Sequence, residues 1–366
     1  MKKVALFITT MYPSGGAEQL THRLGNELSK TYDVSVISMG TNTFSDARYK
    51  KVILTRYDTL LRKVLAVISA PLLLRRICRQ EGIDVVISHM EIPNYVAIMG
   101  LAHTSVPVLA TIHNVSNYKR GVRAFFSKRF YPKANTVITV SQGLSERVQQ
   151  DLRLSNVTTI SNFVDREHIS QQLVCNNRTE DRELFSSDMF TYITIGRLVA
   201  EKDHAFMLKA FAEVLKKRPD SQLIIVGEGP ERARLERLCL ELTISESVHL
   251  LGTRDNVFPL LRESDAFVLT SKEESFGLVL LEAQLSSLPV VSTNCPTGPR
   301  ELLIDEREQT TESYAISGSN IVVPLGELER FVDAMIEIRS MTYVERDLSF
   351  VSTDQILEQW NTVIEQ

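Results

Sequence analysis

Two glutamates eight residues apart, in the stretch Glu274-Ser275-Phe276-Gly277-Leu278-Val279-Leu280-Leu281-Glu282, form the sharpest chemical feature of the chain. A carboxylate accepts hydrogen bonds from hydroxyl groups, as a sugar and a ribose would offer. The apolar run at 266–270 reads as a strand, which leaves Glu274 in the loop after it. Gly277 is read as the start of a helix running through Ala283, so Glu282 falls inside an apolar helix. A capping or solvent-facing glutamate is the ordinary alternative. It is weaker for Glu282, flanked by Leu281 and Ala283, because burying a charge without partners is costly.

Two further sites have the residue types for binding an anion. The run 192–195 reads as a strand ending at Gly196-Arg197-Leu198-Val199-Ala200-Glu201-Lys202-Asp203, at the edge where open α/β sheets bind ligands. An arginine fork and a lysine point charge would suit a diphosphate, although either alone would pass for an isolated surface cation. Near the N-terminus a strand at 4–9 runs into Tyr12-Pro13-Ser14-Gly15-Gly16-Ala17-Glu18 and a helical pattern. Gly15 and Gly16 would let backbone N–H groups approach an anion at a helix start. The G-x-G-x-x-G spacing is absent, no acidic residue is assigned to a ribose, and a tight turn without ligand stays open.

These sites need a scaffold, and the chain has the length for one. It has 366 residues, 43% hydrophobic and 23% charged, which suits two domains and excludes disorder or a collagen-like repeat. Short β-branched runs alternate with amphipathic stretches in both halves, as in parallel sheets with helices on both faces. Strands are expected at 4–9, 34–38, 85–88, 108–112 and 136–140, then at 192–195, 223–226, 248–250, 266–269, 290–292 and 321–323. The polar stretch 166–190 reads as the interdomain connection. Residues 353–365 put Ile356, Leu357, Trp360, Val363 and Ile364 on one helical face, predicting a closing helix.

The net charge of −4 conceals opposite halves: residues 1–170 carry 22 Lys and Arg against 12 Asp and Glu, and 171–366 carry 19 against 33. The basic half suits an anionic surface or ligand, with two independently solvated domains as the plainer reading. No recognised nucleic-acid-binding motif accompanies the charge, so no nucleic-acid partner is expected. Cys78, Cys175, Cys239 and Cys295 are scattered without metal-ligand spacing and are expected to be reduced thiols of a cytoplasmic protein. The start, Met-Lys-Lys-Val-Ala-Leu-Phe-Ile, reads as a first buried strand and not a signal peptide. The uncharged apolar segment from Val64 to Leu74 is too short for a bilayer.

Several motifs occur together in order. They are Gly15-Gly16-Ala17-Glu18, Ser141-Gln142-Gly143-Leu144, Ile160-Ser161-Asn162-Phe163-Val164-Asp165, Gly196-Arg197 with Glu201-Lys202, Val226-Gly227-Glu228-Gly229-Pro230, Leu251-Gly252 and the Glu274/Glu282 pair. Over about residues 1–300 this set resembles the GT-B retaining glycosyltransferases of family four. Each motif alone is weak; the ordered set is strong. The chain departs from the family pattern at 305–319, which leaves that local boundary open.

The resemblance implies a GT-B α/β fold, two Rossmann-like doubly wound parallel-sheet domains facing a cleft. The first would span 1–170, a linker 171–190 and the nucleotide-sugar donor domain 191–349, with a helix at 350–366 packing back on the first. Gly16 would then donate a backbone N–H to the donor's diphosphate. Arg197 and Lys202 would neutralise that diphosphate and the leaving nucleotide. Glu274 and the backbone of Phe276, Gly277 and Leu278 would hold the transferred sugar, with Ser275, Gly15, Gly196 and Gly252 also at the donor. Glu282 would hold the ribose. His113, in Thr111-Ile112-His113-Asn114, matches the family's cleft histidine and would contact the sugar near the reacting centre.

Retention is implied by same-face attack, with the leaving phosphate oxygen taking the acceptor's proton, so Glu274 is not assigned as a base. No D-x-D occurs, and metal independence with no cofactor is expected. The stretch Asn294-Cys295-Pro296-Thr297-Gly298-Pro299-Arg300-Glu301 is similar to bacterial enzymes of capsule, exopolysaccharide or O-antigen synthesis. That favours UDP-galactose or UDP-N-acetylgalactosamine as donor and a saccharide or polyprenyl-diphosphate-linked acceptor. Lys119, Arg120, Arg123, Lys128 and Arg129 interleave with Phe125, Phe126, Phe130 and Tyr131. Such a segment docks on an anionic membrane surface, or else it is core aromatics beneath a solvated cationic face. A sugar-nucleotide epimerase would not need the glutamate pair, and a noncatalytic binding relative would be expected to lose Arg197, Lys202 or Glu274.

Overall fold

The structure, a computed structural model, describes residues 1–11, 16–40, 43–44, 47–53, 60–114, 121–174, 183–305 and 315–366. Two compact units emerge, Met1–Asn162 with Asp354–Gln366 and Phe163–Thr353.

The first unit holds β1 (Lys3–Ile8), β2 (Asp33–Ser38), β3 (Lys50–Ile53), β4 (Val85–His89), β5 (Val108–Ile112), β6 (Thr136–Thr139) and β7 (Val157–Thr159), in the order β3-β2-β1-β4-β5-β6-β7. Every pairing is parallel. β4 and β5 are buried along their whole length, which is why each is mostly apolar and shows no polar–apolar alternation. The closing helix, Thr353–Glu365, belongs to this unit. It buries Ile356, Trp360, Val363 and Ile364, and Lys2 Nζ donates to the Ile364 carbonyl at 2.5 Å.

The second unit holds β8 (Phe190–Ile195), β9 (Ser221–Val226), β10 (Val248–Gly252), β11 (Ala266–Leu269), β12 (Val290–Asn294), β13 (Ala315–Ser317) and β14 (Asn320–Pro324), ordered β10-β9-β8-β11-β12-β14-β13. Only β13 runs antiparallel, against β14. Its core packs Tyr192, Leu223 and Ile225 from the sheet against Met207, Phe211, Phe331 and Met335 from the helices His204–Lys217 and Leu328–Glu337.

The expected domain boundary needs correction. Residues 163–170 are expected in the first domain and 171–174 in the linker, but the second unit begins at Phe163, and Arg166–Val174 is one of its helices. It packs on the helix Phe258–Glu263, where Asn256 Nδ2 donates to Gln172 Oε1 and Arg262 Nη1 donates to the Leu173 carbonyl, both at 2.7 Å. Ile169 is its buried anchor. Ile169 and the half-buried Leu173, one turn apart, are too short a pattern to set a period, so tertiary contacts define this helix. Residues 175–182, the middle of the expected linker, lie outside the described residues.

In the middle of each sheet the strand order reverses, between β1 and β4 and between β8 and β11. At such a switch point the outgoing loops part on opposite sides and leave a crevice at the strands' carboxyl ends.

Candidate functional site

In the second unit, the expected donor residues gather at the switch point. Gly196 and Arg197 leave the end of β8, and Lys202 closes the 3₁₀ turn Ala200–Lys202. Glu274 lies in the loop after β11, and Phe276 and Gly277 lead into the helix Leu278–Leu285. The two loops are tied together: Thr270 Oγ1 donates to the Lys202 carbonyl at 3.0 Å, and the Lys272 amide donates to the Glu201 carbonyl at 2.8 Å. Lys202 Nζ donates to Glu274 Oε1, which also accepts from Ser271 Oγ at 2.8 Å. Both side chains of this ion pair are mostly buried, 22% and 11% exposed.

Burial strengthens the Lys202–Glu274 attraction, yet it makes either charge costly to leave alone. An ammonium has three N–H donors, so the bond to Glu274 leaves two for an anion. Among the described residues the hydrogen bonds to the Glu274 carboxylate fall on Oε1, which leaves its second oxygen for hydroxyl donors. Arg197 is exposed and forms no ion pair among the described residues, which leaves its fork open to a ligand.

The loop 294–301 clamps this arrangement. Thr293 Oγ1 donates to the Ser271 carbonyl at 2.7 Å, and Thr297 Oγ1 donates to the Glu274 carbonyl. Gly298 has φ 84°, and a Cβ there would stand 2.4 Å from the Phe276 carbonyl oxygen, so this crossing excludes any side chain. Cys295 is buried within the clamp, with its thiol pushed up to about 12 by burial and then by Glu274, and is therefore an inert packing residue. Cys78 and Cys239 are likewise buried free thiols, and Cys175 lies outside the described residues.

The remaining residues expected at the donor are spread more widely. Glu282 is half-buried on a helix that buries Leu280, Leu281, Ala283 and Gln284, and the helix itself begins at Leu278, not Gly277. Ser275 and Leu278 are half-buried beside them. Gly252 ends β10, two strands from β8, where its carbonyl accepts from the Gly227 amide at 2.8 Å.

In the first unit, Gly16 is exposed at the first position of the helix Gly16–Leu28, and Gly15 lies outside the described residues. His113 follows β5 and is half-buried. Its Nε2 lies 3.0 Å from Nδ1 of His89, the last residue of β4, and the rings stack at 5.2 Å between centroids. Burial holds the His113 imidazole down to about 4, so it is neutral at neutral pH. Sequence reasoning passed over His89, although Val85-Val-Ile-Ser-His89 ends a buried strand in histidine much as the run to His113 does.

A pH effect on stability follows from a third histidine. His204, buried next to Lys202 and Asp203, is lowered from 6.5 to about 4 by burial and then by the Lys202 charge. The unfolded imidazole takes a proton below about 6.5, whereas the folded one refuses it until about 4. Stability present above 6.5 is therefore lost as the pH falls through that window. Thermal melts of His204→Leu should show a flatter decline over the window; an unchanged pH slope would contradict it.

The expected cationic segment divides in two. In the helix Gly121–Phe130, Phe126 stacks on Phe130 at 5.8 Å, and Phe130 packs on Tyr95, which contacts buried Tyr131. Phe125 is 68% exposed, and Arg123, Lys128 and Arg129 are exposed. Lys119 and Arg120 lie outside the described residues. No helix among the described residues is long and apolar enough to cross a membrane.

Comparison with known proteins agrees with this architecture. Residues 14–168 match the model for "Glycosyltransferase Family 4", and 176–338 that for "Glycosyl transferases group 1". The chain is 28% identical over 320 residues, 84% of each chain, to the N-acetylgalactosamine-N,N'-diacetylbacillosaminyl-diphospho-undecaprenol 4-alpha-N-acetylgalactosaminyltransferase of Campylobacter jejuni. Among solved structures, a glycosyltransferase from Rickettsia africae has TM-score 0.82 at 17% identity, covering 100% of this chain and 98% of that one. Anabaena HepE in complex with UDP and glucose has TM-score 0.74 at 18% identity, with 99% of each covered. Two doubly wound sheets, the ordered motifs and two adjoining family matches converge: the chain belongs to the GT-B glycosyltransferases of family 4.

Proposed function

We propose that the protein moves a hexose or N-acetylhexosamine from a UDP-sugar, with UDP-galactose or UDP-N-acetylgalactosamine favoured, to a lipid-linked or growing saccharide of a bacterial surface polysaccharide. The apposition of Lys202 and Glu274 at the ends of neighbouring strands carries the reading. It sets a cation for the departing diphosphate beside a carboxylate for the sugar hydroxyls, both held before substrate arrives. Arg197 adds charge at the diphosphate, Glu282 holds the ribose and His113 contacts the sugar. The Campylobacter relative, named for N-acetylgalactosamine transfer to a diphospho-undecaprenol acceptor, supports the sugar and acceptor class, and the UDP in the HepE complex supports the nucleotide.

Transfer proceeds with retention: the acceptor attacks the face the nucleotide leaves, and a phosphate oxygen takes its proton. No protein base is needed, and no metal, in keeping with the lack of a D-x-D sequence. The test is UDP release with and without acceptor extract, in the presence and absence of EDTA. Acceptor-dependent, EDTA-insensitive release is expected. Interconversion of free UDP-sugars without acceptor would make it an epimerase, and tighter calorimetric binding of GDP than UDP would overturn the donor.

We place the acceptor side at an anionic membrane surface. Leu72, Ile92, Met99, Phe125 and Phe126 are exposed on three successively packed helices, Leu60–Glu81, Glu91–Leu101 and Gly121–Phe130, beside Arg75, Arg76, Arg123, Lys128 and Arg129. Apolar side chains rimmed by cations suit anionic headgroups. In flotation with anionic liposomes at low salt, the wild type should float and Phe125→Asp with Lys128→Glu and Arg129→Glu should not. A wild type that stays at the bottom sinks the membrane reading.

A further inference from the structure

We propose that His89 is a positioning residue for His113: its Nδ1–H donates to His113 Nε2, which fixes His113 as the Nδ1-protonated tautomer and makes it a hydrogen-bond donor at its other nitrogen. The proposal rests on the reading of His113 as a contact to the transferred sugar.

The geometry starts from the sheet. β4 and β5 are parallel neighbours with His89 in register with Thr111, so His113 falls two residues further along the adjoining chain. Two neutral imidazoles facing each other at 3.0 Å through one nitrogen apiece must share one proton. Either His89 Nδ1 carries it, or His113 Nε2 does.

The far nitrogen of His89 decides between them. His89 is 0% exposed, and its Nε2 has no hydrogen-bond partner among the described residues. If His113 donated, the His89 proton would sit on that Nε2 as a buried N–H with nothing to receive it. If His89 donates, Nε2 carries only a lone pair, and an orphaned acceptor is tolerated more often than an orphaned donor. His113 Nε2 is then committed as an acceptor, and its proton sits on Nδ1. A histidine so arranged can donate to a hydroxyl of the sugar but cannot take the acceptor's proton at that nitrogen. This agrees with a transfer in which the leaving phosphate is the base.

The surroundings hold the pair in place. Asn94 Nδ2 donates to the Thr111 carbonyl at 2.9 Å and to Tyr131 Oη at 3.2 Å, while its Oδ1 accepts from Ser88 Oγ at 2.6 Å. One buried amide thus ties the strand end before His89 to the strand end before His113. Met90, directly after His89, has φ 75° and ψ 165°, a region almost reserved for glycine. Strain of this kind persists where surrounding contacts over-determine the backbone, and here it adjoins the paired ring.

The experiment is nitrogen NMR of imidazole-labelled protein at neutral pH, read beside steady-state kinetics. In the wild type His113 should be protonated at Nδ1. In His89→Leu that preference should be lost, with kcat lowered roughly tenfold to a hundredfold and the donor KM nearly unchanged. His89→Asn, whose amide N–H replaces the Nδ1–H donor, should restore both the tautomer and most of kcat. Protonation of wild-type His113 at Nε2 overturns the proposal, as does an unaltered His113 tautomer in a folded His89→Leu. If His89→Leu does not fold, the wild-type and His89→Asn spectra still decide it. Full transferase activity in His113→Ala beside the expected tautomer would overturn the sugar-contact reading and leave the pairing standing.

Discussion

Lys202→Met should lower kcat about 10²- to 10³-fold, the loss typical of removing one preorganised stabilising group from a developing negative charge. Two effects contribute. On the proposed function the diphosphate loses a cation, and Glu274, only 11% exposed at its side chain, loses its charge partner. Ser271 Oγ, 2.8 Å from Glu274 Oε1, is too weak a substitute to hold the carboxylate in place. Because the two residues act as a unit, Lys202→Met combined with Glu274→Gln should fall short of the product of the single effects, with a coupling of about 0.5–3 kcal/mol. Single-turnover measurement of UDP release on the four proteins checks this. A kcat within threefold of wild type in Lys202→Met, or strict additivity, contradicts the assigned roles.

The second large effect is expected at a glycine outside the set of residues assigned to the donor. Gly227 has φ 144°, and a Cβ there would lie 1.9 Å from the Gly196 carbonyl oxygen. Alanine must therefore push the β8 loop away or leave its own backbone region, at a cost of roughly 3 kcal/mol. For a unit of this size that corresponds to a drop in Tm of roughly 6–12 °C. The displaced segment carries Gly196 and Arg197, so donor affinity should fall together with stability. Gly16→Ala provides the contrast, since a Cβ there has nothing within 4 Å and should not lower Tm. Melting curves and calorimetric UDP titration of both variants suffice. A Gly227→Ala protein melting within 2 °C of wild type would show that the loop yields freely.

Gly227 also shows how a motif becomes legible. Val226-Gly227-Glu228-Gly229-Pro230 was one of the matches that pointed to the family, but pattern alone gives no reason for its glycines. The reason is the β8 loop: Gly229 lacks room for a side chain as Gly227 does, with the Leu198 carbonyl oxygen 2.3 Å from where its Cβ would be. Buried central strands were readable because a strand covered on both faces is mostly apolar and β-branched. β3, β7 and β13 were not. β3 is a mostly exposed edge, and β7 and β13 have three residues each, too few to express a period.

The charge asymmetry of the halves remains a property of composition, and individual side chains resolve it. The acidic half holds the site expected to bind an anionic donor, through Lys202 and Arg197, whatever its net charge. In the basic half the aromatic-cationic segment divides residue by residue: Phe130 and Tyr131 are packed inward, while Phe125, Arg123, Lys128 and Arg129 are exposed.

By itself, then, the sequence determined the two α/β units, the succession of their longer buried strands and the loops in which Glu274, Arg197, Lys202 and His113 lie. These follow from local information: hydrophobic period, turn residues and motif order. Only the tertiary structure decided that Lys202 meets Glu274 across 72 residues, that Thr297 and Gly298 clamp the Glu274 loop, and that His89 stands against His113. Those contacts depend on which strands become neighbours in a sheet. Strand order is set by the joint packing of every helix and strand, and no local stretch of sequence encodes it.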